Sequence, residues 1–207
     1  MKTTSALKNK QILFVTATNT NVGKSYACAH FLNKFSNKGF KVGYFKPIET
    51  GVIAIPQDGS TLLHLTKTLN AEFTVSIEEV VPYQFELAAS PFVAKKETTI
   101  DIEVIKNKMH HLLNFCDVLI IEGAGGLMVP ILKEYFMIDL IQELNAKAIL
   151  IAPSHLGSIN DTLLSMEALK NRKIEFDWYL NLYKNKEEFE KITLPFYKAY
   201  FGEVKYI

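Results

Sequence analysis

Cysteine is scarce: Cys28 and Cys116 are the only two in 207 residues. Their spacing builds neither a disulfide framework nor a metal-ligand pair, and both sit among apolar neighbours. They read as buried core thiols in a reducing compartment. Charge of one sign is lacking too. Lys and Arg total 23 against 22 Asp and Glu, a formal net charge of +1. That balance predicts no nucleic-acid partner and no membrane partner, so an anion must be held by a local site. No apolar run reaches bilayer-spanning length, because Glu122 and Lys133 interrupt the longest candidate. The lysines near the start are not followed by an apolar segment ending in a cleavage site, so no secretory signal is expected and a cytoplasmic location is. Internal repeats, low-complexity tracts and Pro/Gly/Ser linkers are missing as well. Apolar residues, at 48% against 22% charged, suffice for a sizeable core, and the length suits a single domain over residues 1–207.

Helical and extended patterns alternate along the chain. Short apolar runs predict strands over 11–16, 41–45, 118–121, 148–152 and 177–182. Helical spacing of apolar residues predicts helices over 25–37, 58–69, 101–115 and 158–171, the first stopped by Gly39. This alternation implies an α/β fold, a parallel sheet flanked by helices on both faces. Ligands in such folds bind at the carboxyl ends of the strands, so the loops that follow the strands carry the information.

The first of these loops runs from Ala17 through Val22 to Gly23-Lys24-Ser25 and into a helix. Backbone N–H groups and the positive end of that helix can cradle phosphates. Lys24 would reach the β- and γ-phosphates, and the Ser25 hydroxyl would ligate magnesium. The general phosphate-loop pattern has glycine where Thr18 stands, so the strand-to-helix context carries the assignment. The second predicted strand runs into Lys46-Pro47, which puts a lysine on the ligand side. Asp58 opens the next helix, either as a plain cap or as a carboxylate of the site. Glu122 follows an apolar strand, where phosphate-loop proteins place a magnesium-side carboxylate; a solvated turn residue is the alternative. Gly123, Gly125 and Gly126 let backbone approach a ligand. Two lysines, two carboxylates and a hydroxyl at strand ends together describe a magnesium–nucleotide site. Leu156 to Asn160 opens a helix after another strand, which fits either ordinary capping or a carboxylate held by free N–H groups. His110 and His111 read as structural or exposed, and the tail aromatics Phe196, Tyr197, Tyr200 and Phe201 as core and edge packing.

At these residues the sequence resembles the dethiobiotin synthetases of the phosphate-loop NTPase superfamily. That family's loop, G-T-D-T-x-V-G-K-T, corresponds to Ala17–Ser25. Its K-P-x-x-[ST]-G corresponds to Lys46–Gly51, and its S-P to Ser90-Pro91. Its E-G-A-G-G is intact from Glu122 to Gly126. Its L-G-x-I-N corresponds to Leu156–Asn160, and a late strand ending in asparagine corresponds to Trp178–Asn181. The motifs keep the family's order over most of the chain, and the second and fourth are the specific ones.

The resemblance implies an ATP-dependent ligase with magnesium. It would carboxylate 7,8-diaminononanoate with CO2 and close a ureido ring through a phosphorylated carbamate, releasing ADP and phosphate. Lys46, Lys24 and Thr20 would be catalytic, bringing a carbamate anion beside a triphosphate. Asn21, Val22, Gly23, Lys24, Ser25, Tyr26, Asp58, Glu122, Gly123, Ala124, Gly125 and Asn181 would bind the nucleotide. Ser25, Asp58 and Glu122 would surround magnesium. Thr50, Ser90, Pro91, Ser158, Ile159 and Asn160 would bind substrate, the last three across a homodimer.

Departures from the family pattern are Ala17 for glycine, Asn19 and Asn21 where acidic residues are common, and Leu182 where an acidic residue often follows Asn181. With the short tail after Leu194-Pro195, the last of these predicts poor discrimination among nucleoside triphosphates. A MinD/ParA-like switch ATPase is the alternative from another class. Those proteins carry an additional lysine early in the loop, which positions 17–22 lack, and often a membrane-binding tail. The tail here is too acidic for that, with Glu187, Glu188, Glu190 and Glu203. A cobyrinate-type amidoligase would add a glutamine-hydrolysing domain with a nucleophilic cysteine, and neither cysteine stands in such a context.

Overall fold

The computed structural model describes residues 10–183 and 186–207. In chain order the strands are β1 (Gln11–Ala17), β2 (Val42–Phe45), β3 (Ile48–Thr50), β4 (Tyr83–Phe85), β5 (Val118–Gly126), β6 (Pro130–Leu132), β7 (Tyr135–Phe136), β8 (Lys147–Pro153) and β9 (Phe176–Asn181). The helices are α1 (Lys24–Ser36), α2 (Gln57–Leu69), α3 (Ile77–Val80), α4 (Pro91–Ala94), α5 (Ile102–Leu112), α6 (Met137–Glu143), α7 (Ser158–Asn171), α8 (Lys186–Glu188) and α9 (Leu194–Phe201).

The central sheet has the order β2-β5-β1-β8-β9, and every pairing in it is parallel. Its strands are apolar on both sides: Leu13 to Ala17 and Val118 to Glu122 are buried without alternation. Such strands need cover on two faces. The edge strand β9 records that cover, because adjacent strand residues point to opposite faces. Tyr179 packs edge-on to Phe31 of α1, ring centroids 5.1 Å apart, while Trp178 meets Tyr197 of α9 at 5.6 Å. On the α9 side, Tyr197 shares a 2.9 Å hydrogen bond with Thr162 of α7, Arg172 at the end of α7 pairs with Asp139 of α6, and Glu143 of α6 pairs with Lys106 of α5. The other face carries α1, packed on α2.

Most of the expected elements form within a residue or two of their predicted ends. The helix expected over 101–115 is shorter, because α5 gives way at Leu113 to a tighter turn over Leu113–Phe115. Strands β3, β4, β6 and β7 and helices α3, α4, α6, α8 and α9 were not expected; each is eight residues or fewer, too short for a periodic signal. Beyond α9, Lys205 and Ile207 exchange backbone bonds with Leu180, so the tail covers the edge of β9. Tyr197 is wholly buried, whereas Phe196 and Tyr200 are exposed and stack on each other. Cys28 and Cys116 are both free and buried. Among the described residues no helix is long and apolar enough to cross a membrane.

Candidate active site

The site grows from the end of β1. After Ala17 the chain turns back to the start of α1, and Gly23 at that start has φ 100, a conformation that disfavours any side chain. A Cβ on Gly23 would also run into the side chain of Asn181. Asn181 in turn donates to the Val22 carbonyl at 2.9 Å, and the Tyr183 hydroxyl donates to the Asn21 carbonyl at 2.8 Å. The end of β9 therefore braces the phosphate loop by its backbone. On the other side lies β5. Val15 pairs with Glu122 and Ala17 with Gly126, so two steps along β1 match four along β5, and the surplus lifts Gly123 to Gly125 out of the ladder. A Cβ on Gly126 would lie 2.9 Å from the Thr18 carbonyl. That glycine serves the approach of β5 to the phosphate loop, a different task from the ligand approach expected of it.

Three side chains converge on Glu122, which is 1% exposed. Ser25 Oγ and Lys46 Nζ each donate to its Oε1 at 2.8 Å, and the Tyr44 hydroxyl donates to Oε2 at 2.8 Å. The Cys28 thiol, on the buried side of α1, also acts on it. Lys46 Nζ reaches Asp58 Oδ2 as well, at 3.0 Å. Lys24 Nζ donates to the Asn19 carbonyl at 3.2 Å, folded back over its own loop. Behind this cluster Glu49 accepts from the backbone N–H groups of Asp58 and Gly59 at 3.1 and 3.0 Å. It supplies the cap that Pro56, at the start of α2, does not.

Burial and charge set the protonation of these groups. Burial alone would depress Lys46, but the charges and hydrogen bonds of Glu122 and Asp58 outweigh it, and Lys46 is held above the usual lysine range. Lys24 moves the opposite way: burial pushes it down, the nearby Lys46 adds to that, and Glu122 only partly compensates. Burial, with the Glu122 charge behind it, pushes the Tyr44 hydroxyl and the Cys28 thiol well up, so both stay protonated. Burial also raises Glu49 against the opposing pull of Lys46.

A cleft of about 730 Å³ opens over this cluster at the carboxyl ends of β1, β2 and β5. Of the residues singled out from the sequence, Thr20, Asn21, Gly23, Lys24, Ser25, Tyr26, Lys46, Thr50, Asp58, Ser90, Pro91, Glu122, Gly123, Ala124 and Gly125 line it. Val22 is buried beneath the loop, and Asn181 is buried at its back. Ser158, Ile159 and Asn160 do not line this cleft; they begin α7 after β8. The Ser158 hydroxyl is buried 3.4 Å from Tyr197 OH and its N–H donates to the His155 carbonyl, so Ile159 and Asn160 are what this helix start presents. A larger groove, about 900 Å³, lies at the amino ends of β1, β8 and β9 and holds none of these groups.

Sequence reasoning missed Tyr44, Cys28 and Glu49. Tyr44 carried a signal: two residues before Lys46, it shares that lysine's side of the strand. Cys28 and Glu49 carried none, since the Glu122 charge that raises Cys28 lies 94 residues away and the N–H groups that Glu49 accepts from begin 9 residues away.

The donors Ser25, Asp58 and Glu122 offer only oxygen, the set that magnesium takes. The Lys46 ammonium lies between the two carboxylates and offsets part of their charge. Among the described residues no group of three or more His, Cys, Asp or Glu forms a metal cluster. Magnesium uses one or two carboxylates and takes its other ligands from phosphates and water.

Residues 11–178 match a family model described as AAA domain, AAA_26. The chain is 50% identical over 190 residues to the ATP-dependent dethiobiotin synthetase BioD of Sulfurovum sp. (strain NBC37-1), covering 91% of this chain and 90% of that protein. It is 42% identical over 189 residues to the protein of the same name from Wolinella succinogenes, covering 90% and 88%. Among solved structures, a MinC:MinD cell division protein complex from Aquifex aeolicus matches with TM-score 0.57 at 15% identity over 95% of this chain and 79% of that one. A ParA family ATPase from Chlorobium tepidum TLS matches with TM-score 0.57 at 16% identity, covering 96% and 84%. At such identities these two establish a shared fold and nothing about activity.

Proposed function

The chain belongs to the family of ATP-dependent dethiobiotin synthetases, and from that membership we propose that the cleft over Lys46 and Glu122 performs the ring-closing carboxylation of 7,8-diaminononanoate. One amine of the diamine adds to CO2 and loses a proton, giving a carbamate. A carbamate oxygen attacks the γ-phosphorus of ATP, and the bond to the leaving ADP breaks. The second amine then attacks the carbamate carbon and loses its proton, phosphate departs, and the ureido ring closes.

The observation that carries this reading is the pair of lysines over one carboxylate cluster. Two anions, carbamate and triphosphate, must meet, and fixed cations are what brings them together. Lys46 is buried and held protonated, so it cannot take up the proton that the amine loses; its task is to hold the carbamate and offset its charge. Lys24, whose burial disfavours its charge in the free protein, gains most from an arriving phosphate. Thr20 and Thr50 line the cleft, where they would position carbamate or diamine. Ser25, Asp58 and Glu122 would hold magnesium, which when bound neutralises phosphate charge in the transfer. The chain acts here as one domain over residues 1–207. A cytoplasmic location accompanies this reading, because ATP is available there and thiols such as Cys28 and Cys116 stay reduced.

The same reading makes the protein a homodimer. Ile159 and Asn160 lie outside the cleft of their own chain, so the carboxylate of the diamine would meet them on a partner subunit. Ile53, Ile55 and Met128 are exposed apolar side chains that a partner could cover. The switch-ATPase alternative is supported by fold alone.

The test is incubation with 7,8-diaminononanoate, bicarbonate, magnesium and ATP, with dethiobiotin detected by mass and ADP and phosphate counted against it. Equal amounts of the three products are expected. ATP hydrolysis without dethiobiotin would sink the proposal. Asp58→Asn should weaken the magnesium dependence more than the stability, whereas Glu122→Gln should weaken both, because it also breaks the buried pair with Lys46.

A further inference from the structure

We propose that Tyr44 is a positioning residue that holds the Glu122 carboxylate in the orientation the cation centre needs, an inference that rests on the magnesium reading above. Tyr44 lies on β2, and its side chain is wholly buried. It does not line the cleft, and its hydroxyl donates to Glu122.

The two oxygens of Glu122 have different surroundings. Oε1 takes the hydroxyl of Ser25 and the ammonium of Lys46, both at 2.8 Å, and so belongs to the cleft. Oε2 takes the Tyr44 hydroxyl at 2.8 Å and belongs to the core. A glutamate side chain rotates easily about its last bond. What stops this one is the pairing of each oxygen with its own donor. A hydroxyl donating to a charged oxygen forms a short, strong hydrogen bond, and a buried charged oxygen deprived of its donor is costly. Without the Tyr44 hydroxyl, Glu122 has reason to rotate toward Ser25 and Lys46 with both oxygens. The centre would then lose the directed lone pairs of Oε1.

Tyr44→Phe removes one oxygen and leaves the ring. The measurement is the dissociation constant of a non-hydrolysable ATP analogue by calorimetry, with and without magnesium; the ratio is the magnesium increment. In Tyr44→Phe the magnesium-free constant should stay within about twofold of the parent, and the increment should fall roughly tenfold, the scale of one charge-assisted hydrogen bond. Should Tyr44→Phe fail to fold, Tyr44→Met refills the space without a donor and is read in the same way. A 3-fluorotyrosine at position 44 keeps the donor and should keep the increment. If the parent shows an increment and the variant retains it, the inference is overturned and the magnesium reading stands. If both constants weaken equally, Tyr44 is a packing residue and the inference fails. If the parent shows no increment, the magnesium reading fails and takes this inference with it.

Discussion

Lys46 Nζ lies 2.8 Å from Glu122 Oε1, and the two residues keep only 5% and 1% of their surface in solvent. An ion pair so buried is a poor way to gain stability, because desolvating two charges offsets most of their attraction. On the proposed function its worth is chemical: it keeps a protonated amine within the cleft. Removing one member strands the other.

Lys46→Met should therefore abolish ring closure and also destabilise the fold by about 3 kcal/mol, the usual cost of a stranded buried charge. Adding Glu122→Gln should return most of the stability and none of the activity. Urea unfolding with turnover assays checks both. Additive losses in the double variant would mean that the pair is not coupled.

Lys24→Met should eliminate turnover, because the transferring phosphoryl group loses a fixed cation. The effect on stability has the opposite sign from Lys46. A lysine depressed by burial binds its proton less tightly when folded. Below its folded pKa it weighs against folding, and that weight lifts as pH rises toward the unfolded value of 10.5. The variant should be as stable as the parent or more so at pH 7, with the gap closing above pH 10.5. Paired unfolding curves across that window test it; a variant less stable at pH 7 would contradict the burial argument.

Base selection should be poor. Asn181 and Tyr183 donate to loop carbonyls, and the Leu182 side chain between them brings no acceptor for a purine amino group. ATP, GTP and CTP should support turnover within about tenfold of one another, roughly 1.4 kcal/mol. Asn181→Ala should raise KM for all three alike, since it loosens the loop. A change confined to ATP would instead make Asn181 a reader of the base.

The shared-site proposal has a complementation test. Lys46→Ala damages the chemistry of its own cleft, and Asn160→Asp places a repelling charge at the start of α7, where an anion is favoured. Each homodimer should be weak or inactive. Mixed dimers should regain activity, because one of their two clefts combines an intact Lys46 with an intact Asn160. Mixed dimers that form and stay inactive would place the whole diamine within one chain.

Much of this was legible before any coordinates. Residues 13–15, 118–121 and 148–152 of the central sheet are continuous apolar runs, and α7 begins and ends at the residues expected of it, Ser158 and Asn171. Lys24 and Ser25 follow β1 by one loop, Lys46 follows β2, and Glu122 ends the apolar run of β5, so parallel topology alone brings them to one end of the sheet. The short pieces were not legible. Strands β3 and β4, three residues each, have no period to read. Their hydrogen bonds are made to residues far along the chain.

What the amino-acid sequence determined by itself is local: which segments bury both faces, where the chain must turn, and which charged side chains sit at strand ends. Backbone sterics and apolar periodicity act over a few residues, and a reader of the sequence has those residues. Which oxygen of Glu122 faces Lys46 and which faces Tyr44 was decided only when β2, β5 and α1 packed together. So was the use of Glu49 as the cap of α2, and the turning of Ser158 into the core against Tyr197. The physical reason is range. A hydrogen bond acts over about 3 Å, and 78 residues of chain separate Tyr44 from Glu122. Only the tertiary fold brings such distant residues within that reach.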